Sequence, residues 1–326
     1  MINTIVKFGV DGVNTAKTGV FPYRKIFELD VMPENIQLDD YMNGFYDSSK
    51  NYILDHIQSK SHNKINITSA YKFDSAIKNQ YPNLNFNFKL HTPLWSAFEN
   101  YKMHPVIDYK NFICSFNGSA HVGRKLLVAI LEKFKYFDSN YCSKNFSYSM
   151  DSLDGNIEDL VEDKIRFYRK FFITNNNDFF EKIHSFGYIP NDHKNNIYNL
   201  ELKLTESFLH IVSETMSTSY YPFVTEKFLY STVTRGLFLA YGQPGWHAHV
   251  EKYYGFKRYL NIFDYKFDTI QNPVERLVEL VTMISKFSHL TPMDWHDLYL
   301  LEQDTIEYNY DHYFSKQYLE CLNTYE

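Results

Sequence analysis

With 326 residues, of which 44% are hydrophobic and 22% charged, the chain is long enough for two domains with substantial cores, and no apolar stretch reaches membrane-spanning length. A formal net charge of -6 argues against wholesale wrapping of nucleic acid, although a local basic patch can still meet a polyanion. The three cysteines, Cys114, Cys142 and Cys321, are widely spaced and form no Cys-x-x-Cys pair, which excludes a disulfide framework and a structural zinc site. The start, Met1 to Val10, reads as a first strand rather than a secretory leader, so the expectation is a soluble, cytoplasmic protein.

In chain order, apolar strand-like runs at Ile5 to Val10, Lys64 to Ser69 and Leu84 to Leu90 alternate with polar or helical pieces such as Ser49 to Ile57, the pattern of an α/β domain. Lys17-Thr18 resembles the end of a phosphate loop, but Asp11 and Ala16 stand where its glycines would be, which excludes a P-loop NTPase. A boundary falls near Ile107 to Lys110. Phe112 to Phe116 is the next strand, followed by a loop from Asn117 to Arg124 and a helix with Leu126, Leu127, Ile130, Leu131 and Phe134 on one face. Helices are expected over Ile157 to Phe172 and Asn177 to Ser185, and polar loops at Asn175 to Asp178 and Asn191 to Asn196.

Phe208 to Val212 is a short apolar, β-branched run and reads as a buried parallel strand. Ligands of open α/β sheets sit beyond the carboxyl ends of strands, so Ser213, Glu214 and Thr215 lie where a ligand would be met. Thr225 is a good N-cap for a following helix, and Glu226 suits the positive helix end. Lys227 does not, unless an anion meets it there; the plainer alternative is a capping glutamate beside a solvated lysine. Gly236 to Tyr241 is a second buried strand, and Gly242-Gln243-Pro244-Gly245 is either a ligand-approach loop or an ordinary turn. A helix around Trp246 to Tyr254, a strand after Gly255-Phe256, a capped helix from Asn272-Pro273 and a helical tail from Trp295 complete the chain. His247 and His249 point in different directions along a helix, and Asp294 and Asp297 belong to helix-start chemistry, so no metal site is expected.

Taken together, Phe116-Asn117-Gly118 with Arg124, Ile211 to Thr215, Phe223 to Lys227, Arg235 to Leu239 and Gly255-Phe256 resemble the donor domain of GT-B glycosyltransferases of the α-1,3-fucosyltransferase-like family and related phage and bacterial enzymes. The resemblance covers residues 111–290. It departs at Thr215, where those enzymes carry Asn, and at Phe223, where they carry Tyr, so it extends to a nucleotide sugar and not to a particular sugar or base.

The resemblance implies two facing Rossmann-like α/β domains with a helical C-terminal tail: an acceptor domain over residues 1–108, a donor domain over 109–290 and a tail over 291–326 crossing back to the first domain. Arg124 and Lys227 would neutralise the donor diphosphate, Glu226 would hold the ribose and Glu214 would line the sugar end, with Asn117, Thr225 and Gly242 completing a UDP- or GDP-sugar site. No Asp-x-Asp motif is present, in keeping with metal-independent, inverting chemistry without a cofactor. The base that deprotonates the acceptor is expected to be Asp11, with His91 second. Richness in Phe, Tyr, Asn and Lys fits an AT-rich, phage-like genome, which makes hydroxymethylated DNA bases one candidate acceptor and a glycan or protein the other. Lys17, Arg24, Lys64, Lys72 and Lys78 could line a DNA groove. A non-catalytic binding protein of the same fold is the remaining alternative.

Overall fold

A computed structural model of the chain describes residues 6–9, 31–39, 54–61, 63–69, 73, 75–88, 95–102, 106–117, 122–134, 136, 141–144, 193–214, 222 and 224–323. Strands β1 (Val6–Gly9), β2 (Asn35–Asp39), β3 (Ile65–Ser69) and β4 (Leu84–Phe88) form a parallel sheet in the order β1-β2-β3-β4. Along β3, Ile65, Ile67 and Ser69 are buried while Asn66 and Thr68 are half-buried. Asn35, Asn66 and Asn85 are in register, and their amides form a ladder: Asn66 Nδ2 donates to Asn35 Oδ1 at 2.9 Å and Asn85 Nδ2 to Asn66 Oδ1 at 3.1 Å. Cross-strand bonds of this kind pin a register that short strands would otherwise specify weakly. The helical piece expected from Ser49 is seen over residues 54–59, and α1 (Ser75–Gln80) buries Ile77 between β3 and β4.

A second parallel sheet contains β5 (Asn111–Asn117), β6 (Tyr141–Lys144), β7 (Ser207–Ser213) and β8 (Leu237–Tyr241) in the order β6-β5-β7-β8. Every residue of β7 and β8 is buried, as a strand covered on both faces requires. Around it lie α2 (Val122–Lys133), α3 (His193–Thr205), α4 (Leu229–Val233), α5 (Trp246–Tyr254), α6 (Pro273–Ser285), α7 (Pro292–Leu301), α8 (Gln303–Phe314) and α9 (Tyr318–Asn323). The strand order reverses between β5 and β7, because β5 continues outward to β6 on one side while β7 and β8 extend on the other. Such a switch point leaves a crevice beyond the carboxyl ends of the two central strands, with the connections on either side turning away from it.

Three expectations need correction. The polar run at Asn191 to Asn196 is not a loop throughout: α3 opens at His193, since Ile197, Leu200 and Leu204 recur at helical spacing and are all buried. Phe134 is 38% exposed, because α2 ends at Lys133 and the ring leaves the buried face to stack near Tyr136. No strand follows Gly255-Phe256. The Asn309 side chain, from α8, accepts from the Lys257 amide at 2.7 Å and donates to the Lys257 carbonyl at 2.9 Å, taking the place of a neighbouring strand.

Trp95, Phe98 and Tyr101 pack into the same apolar cluster as the second sheet, and the tail helices close over them. The Tyr313 hydroxyl donates to the Trp95 carbonyl, the Tyr318 ring lies 5.2 Å from that of Trp95, and Lys316 pairs with Glu99 at 3.1 Å. His312 reaches the Tyr254 carbonyl at 2.7 Å, and Arg235 pairs with Glu307 at 2.9 Å while stacking 3.5 Å from the Tyr310 ring. The tail is thus bonded to the segment around Trp95 and Glu99, to the turn after α4 and to the end of α5. Replacing Asn309 by Ala leaves the Lys257 amide and carbonyl without their partner and is expected to cost about 1–3 kcal/mol in urea unfolding; an unchanged midpoint would mean that α8 is not integral to this fold.

Candidate functional site

Glu214 is the first residue beyond β7, and its amide donates to the Tyr241 carbonyl at 3.1 Å, extending the ladder with β8 by one step. Its carboxylate is therefore delivered to the carboxyl end of the sheet by a fixed backbone. There it is 1% exposed and accepts twice from one residue: Oε1 from the Thr225 amide at 3.1 Å and Oε2 from the Thr225 hydroxyl at 2.6 Å. Lys227 Nζ donates to the same Thr225 oxygen at 2.8 Å and lies 3.5 Å from Glu226 Oε1. Thr225 Oγ1 is the middle of a relay in which ammonium gives to hydroxyl and hydroxyl gives to carboxylate.

This geometry corrects the reading of Thr225 as a helix N-cap. Its side chain makes no cap bond, and the segment opens as a 3-10 turn, Glu226–Phe228, running into the five residues of α4. A helix this short carries little dipole, so the charges here are organised by side chains. The partner that wins the hydroxyl lies 11 residues earlier in the chain.

Arg124, in the first turn of α2, adds a second cation and is 4% exposed. Burial lowers its pKa to about 10, against the opposing pull of Glu214 and Glu226. Lys227 is lowered by burial and by Arg124, with Glu226 and Glu214 acting the other way. Glu214 is raised, chiefly by burial and further by Glu226, although Lys227 and the Thr225 bonds favour its anion. Two carboxylates and two cations thus balance within one buried cluster. The Lys227 side chain, 23% exposed against 8% for Glu226, is the more open of that pair.

Around the cluster the polar groups tie the sheet together. Asn117 Nδ2 donates to Ser115 Oγ at 3.1 Å, and Ser115 Oγ donates to the Ile211 carbonyl at 3.0 Å, so the ends of β5 and β7 are joined. Ser213 Oγ, at the end of β7, is buried with no hydrogen-bond partner among the described residues. Gly242 is the end of β8's approach to α5: a Cβ there would stand 2.7 Å from Trp246 Cδ1, so the missing side chain is required by the core. The Gly242 carbonyl accepts from Arg276 Nε at 3.1 Å, and Arg276 Nη1 also donates to the Ile270 carbonyl at 2.6 Å.

The start of α5 is closed by the chain itself. Asp268 Oδ2 accepts from the His247 amide at 3.1 Å and from the Ala248 amide at 3.3 Å, while Oδ1 is 2.9 Å from His247 Nδ1. His247 Nε2 accepts from the Ala240 amide at 3.0 Å, so the ring proton sits on Nδ1 and the histidine bridges β8 to Asp268. Asp294 completes a capping box with Thr291. Among the described residues no group of three or more His, Cys, Asp or Glu side chains is placed to hold a metal ion.

The structure brings Arg124, Glu214, Thr225, Glu226 and Lys227 together, and sets Asn117 and Gly242 at the ends of the flanking strands. Asp11, His91, Gly118, Thr215 and Phe223 lie outside the described residues, as do Lys17, Arg24, Lys72 and both helices expected between Ile157 and Ser185. Ser213 belongs to the run that the sequence places where a ligand would be met; nothing in the spacing of Asp268 or Arg276 marks them as the groups that shape the next loop. No helix of the described residues is long and apolar enough to cross a membrane. No family model matches the chain, and neither a curated protein nor a solved structure matches it.

Burial by itself would raise the Asp268 carboxyl, but His247 and the two amides bring it below the ordinary 3.8. A depressed carboxylate contributes stability that is present above its unfolded value and lost as pH falls through its lower folded value. Thermal melts taken from neutral pH down into that acid range are expected to show Asp268→Asn already destabilised at neutral pH and less sensitive to acid than the wild type; parallel acid limbs would contradict this.

Proposed function

We propose that the protein is a glycosyltransferase of GT-B type, with a nucleotide-sugar donor bound at the carboxyl ends of β5 and β7. One observation carries the reading: the cluster of Arg124, Glu214, Thr225, Glu226 and Lys227 lies beyond the strand order's reversal, where an open parallel sheet presents its ligand crevice. A guanidinium and an ammonium in a site of low exposure suit a diphosphate, because both offset the charge that grows on the leaving group. The buried Ser213 hydroxyl, without a partner among the described residues, adds a donor at the same strand end.

In this reading the second sheet belongs to the donor domain and the first to the acceptor domain. A base on the acceptor side, Asp11 or His91, takes the acceptor hydroxyl proton; that oxygen bonds to the anomeric carbon, and the carbon–oxygen bond to the diphosphate breaks with inversion. Arg124 and Lys227 receive the departing nucleoside diphosphate, and Glu226 holds its ribose. For the acceptor, the AT-rich, phage-like composition makes a hydroxymethylated DNA base one candidate and a glycan or protein hydroxyl the other; sugar transfer to hydroxymethylated against plain DNA separates them.

The donor claim is tested by thermal shift with UDP-, GDP-, CMP- and dTDP-sugars. A donor present at a hundred times its Kd is expected to stabilise the chain by about 2.7 kcal/mol. Lys227→Ala should weaken the responding donor by roughly ten- to a hundredfold, the scale of a charge-assisted contact to phosphate. The absence of any shift, or equal affinity of Lys227→Ala and wild type, would overturn the reading.

A further inference from the structure

The Glu214–Thr225–Lys227 relay has a chemical asymmetry. Thr225 Oγ1 has one proton, and in the described geometry it goes to Glu214 Oε2, while Lys227 donates to that same oxygen. While Glu214 is ionised, the hydroxyl is an acceptor toward Lys227 and has no proton to offer an anion. An arriving diphosphate therefore meets a cluster whose two cations are already matched by two carboxylates, and a hydroxyl turned the wrong way.

We propose that anion binding at this site takes up one proton at Glu214, and that the Thr225 hydroxyl then reverses to become a direct donor to the diphosphate. This rests on the donor-site reading above. The protonated carboxyl donates to Thr225 Oγ1, which can still accept from Lys227 through its second lone pair. Its own proton is then directed outward, to a phosphate oxygen. The proton comes from solvent, no covalent bond to carbon or phosphorus changes, and the positive charge gained offsets part of the dianion.

The surroundings support this assignment. Among the described residues the ionised groups facing Glu214 are Lys227 and Glu226 from the turn before α4 and Arg124 from α2, while β5 and β8 present no carboxylate or cation. A ligand that draws Arg124 and Lys227 toward its phosphates loosens their hold on the two glutamates, which favours the neutral acid. Of the two, Glu214 is the less exposed, at 1% against 6% for Glu226. Its pKa is already raised by burial in the free protein. A further rise on binding means that affinity is greatest at low pH and falls as pH climbs through the bound-state value.

Isothermal titration calorimetry of the full chain with UDP-glucose, GDP-mannose and dTDP-glucose tests this, because such diphosphate diesters stay dianionic through the neutral range. At one pH, buffers of low and high ionisation enthalpy are expected to give apparent enthalpies that differ by uptake of about one proton, with affinity falling up to about tenfold per pH unit. Glu214→Gln, which mimics the neutral acid, is expected to bind with neither the buffer difference nor the pH slope. Tight wild-type binding with equal enthalpies in the two buffers overturns the proton uptake and leaves the donor site standing, as does Glu214→Gln retaining the uptake. If none of the three sugar nucleotides binds, both the donor reading and the proton uptake fall. Should Glu214→Gln fail to fold, the wild-type buffer comparison decides alone.

Discussion

Taking four charged side chains out of water is tolerable when each finds a partner of opposite sign, and the corner formed by Arg124, Glu214, Glu226 and Lys227 meets that condition internally. The Thr225 hydroxyl links the two sides, bonded to Glu214 and to Lys227 at once. Removing one member would leave another buried without compensation, so these residues act as a unit. Under the proposed donor-site reading the same arrangement sets the terms of entry: an anion must displace carboxylates from cations, or one carboxylate must be neutralised.

The fold delivers this corner through backbone rather than through long flexible side chains. Seven consecutive buried residues in β7 fix Glu214 at the carboxyl end of the sheet, and the Ser115 bond to Ile211 joins β5 to β7 just below it. The neighbouring loop after β8 is held by Arg276 on the Gly242 carbonyl and by Asp268 on the first amides of α5. That helix start is already satisfied by the chain itself. The tail helices reinforce the same region from outside, through Asn309 on Lys257 and His312 on Tyr254.

Much of the second sheet was legible in sequence because its information is local. The run at Phe208 to Val212 is apolar apart from His210, that at Gly236 to Tyr241 carries no polar side chain but the Tyr241 hydroxyl, and Asn272-Pro273 carries its own cap, with Asn272 Oδ1 accepting from the Val274 amide at 3.0 Å. What escaped depends on partners far along the chain. β2, with Asn35, Gln37 and Asp39 among its five residues, is not one of the apolar runs that mark strands in the sequence, and it is tied to β3 by the Asn66 amide donating to Asn35. Residues after Gly255 have strand-like composition, but Asn309, 52 residues later, satisfies them instead. For the site, the residue types were readable and their wiring was not: Thr225 looked like a cap because a hydroxyl before Glu226 suits one, whereas the Glu214 carboxylate brought over by β7 captures it.

The central claim is that Arg124 and Lys227 together face a diphosphate. The direct measurement is 31P NMR of UDP-, GDP- and dTDP-sugars titrated with the protein. The account predicts that both phosphorus resonances of the bound donor shift or broaden with wild type and stay at their free positions with Arg124→Ala. Phosphorus resonances that remain at their free positions while the base and ribose proton signals move would contradict it, because the nucleotide would then bind without its diphosphate at this cluster.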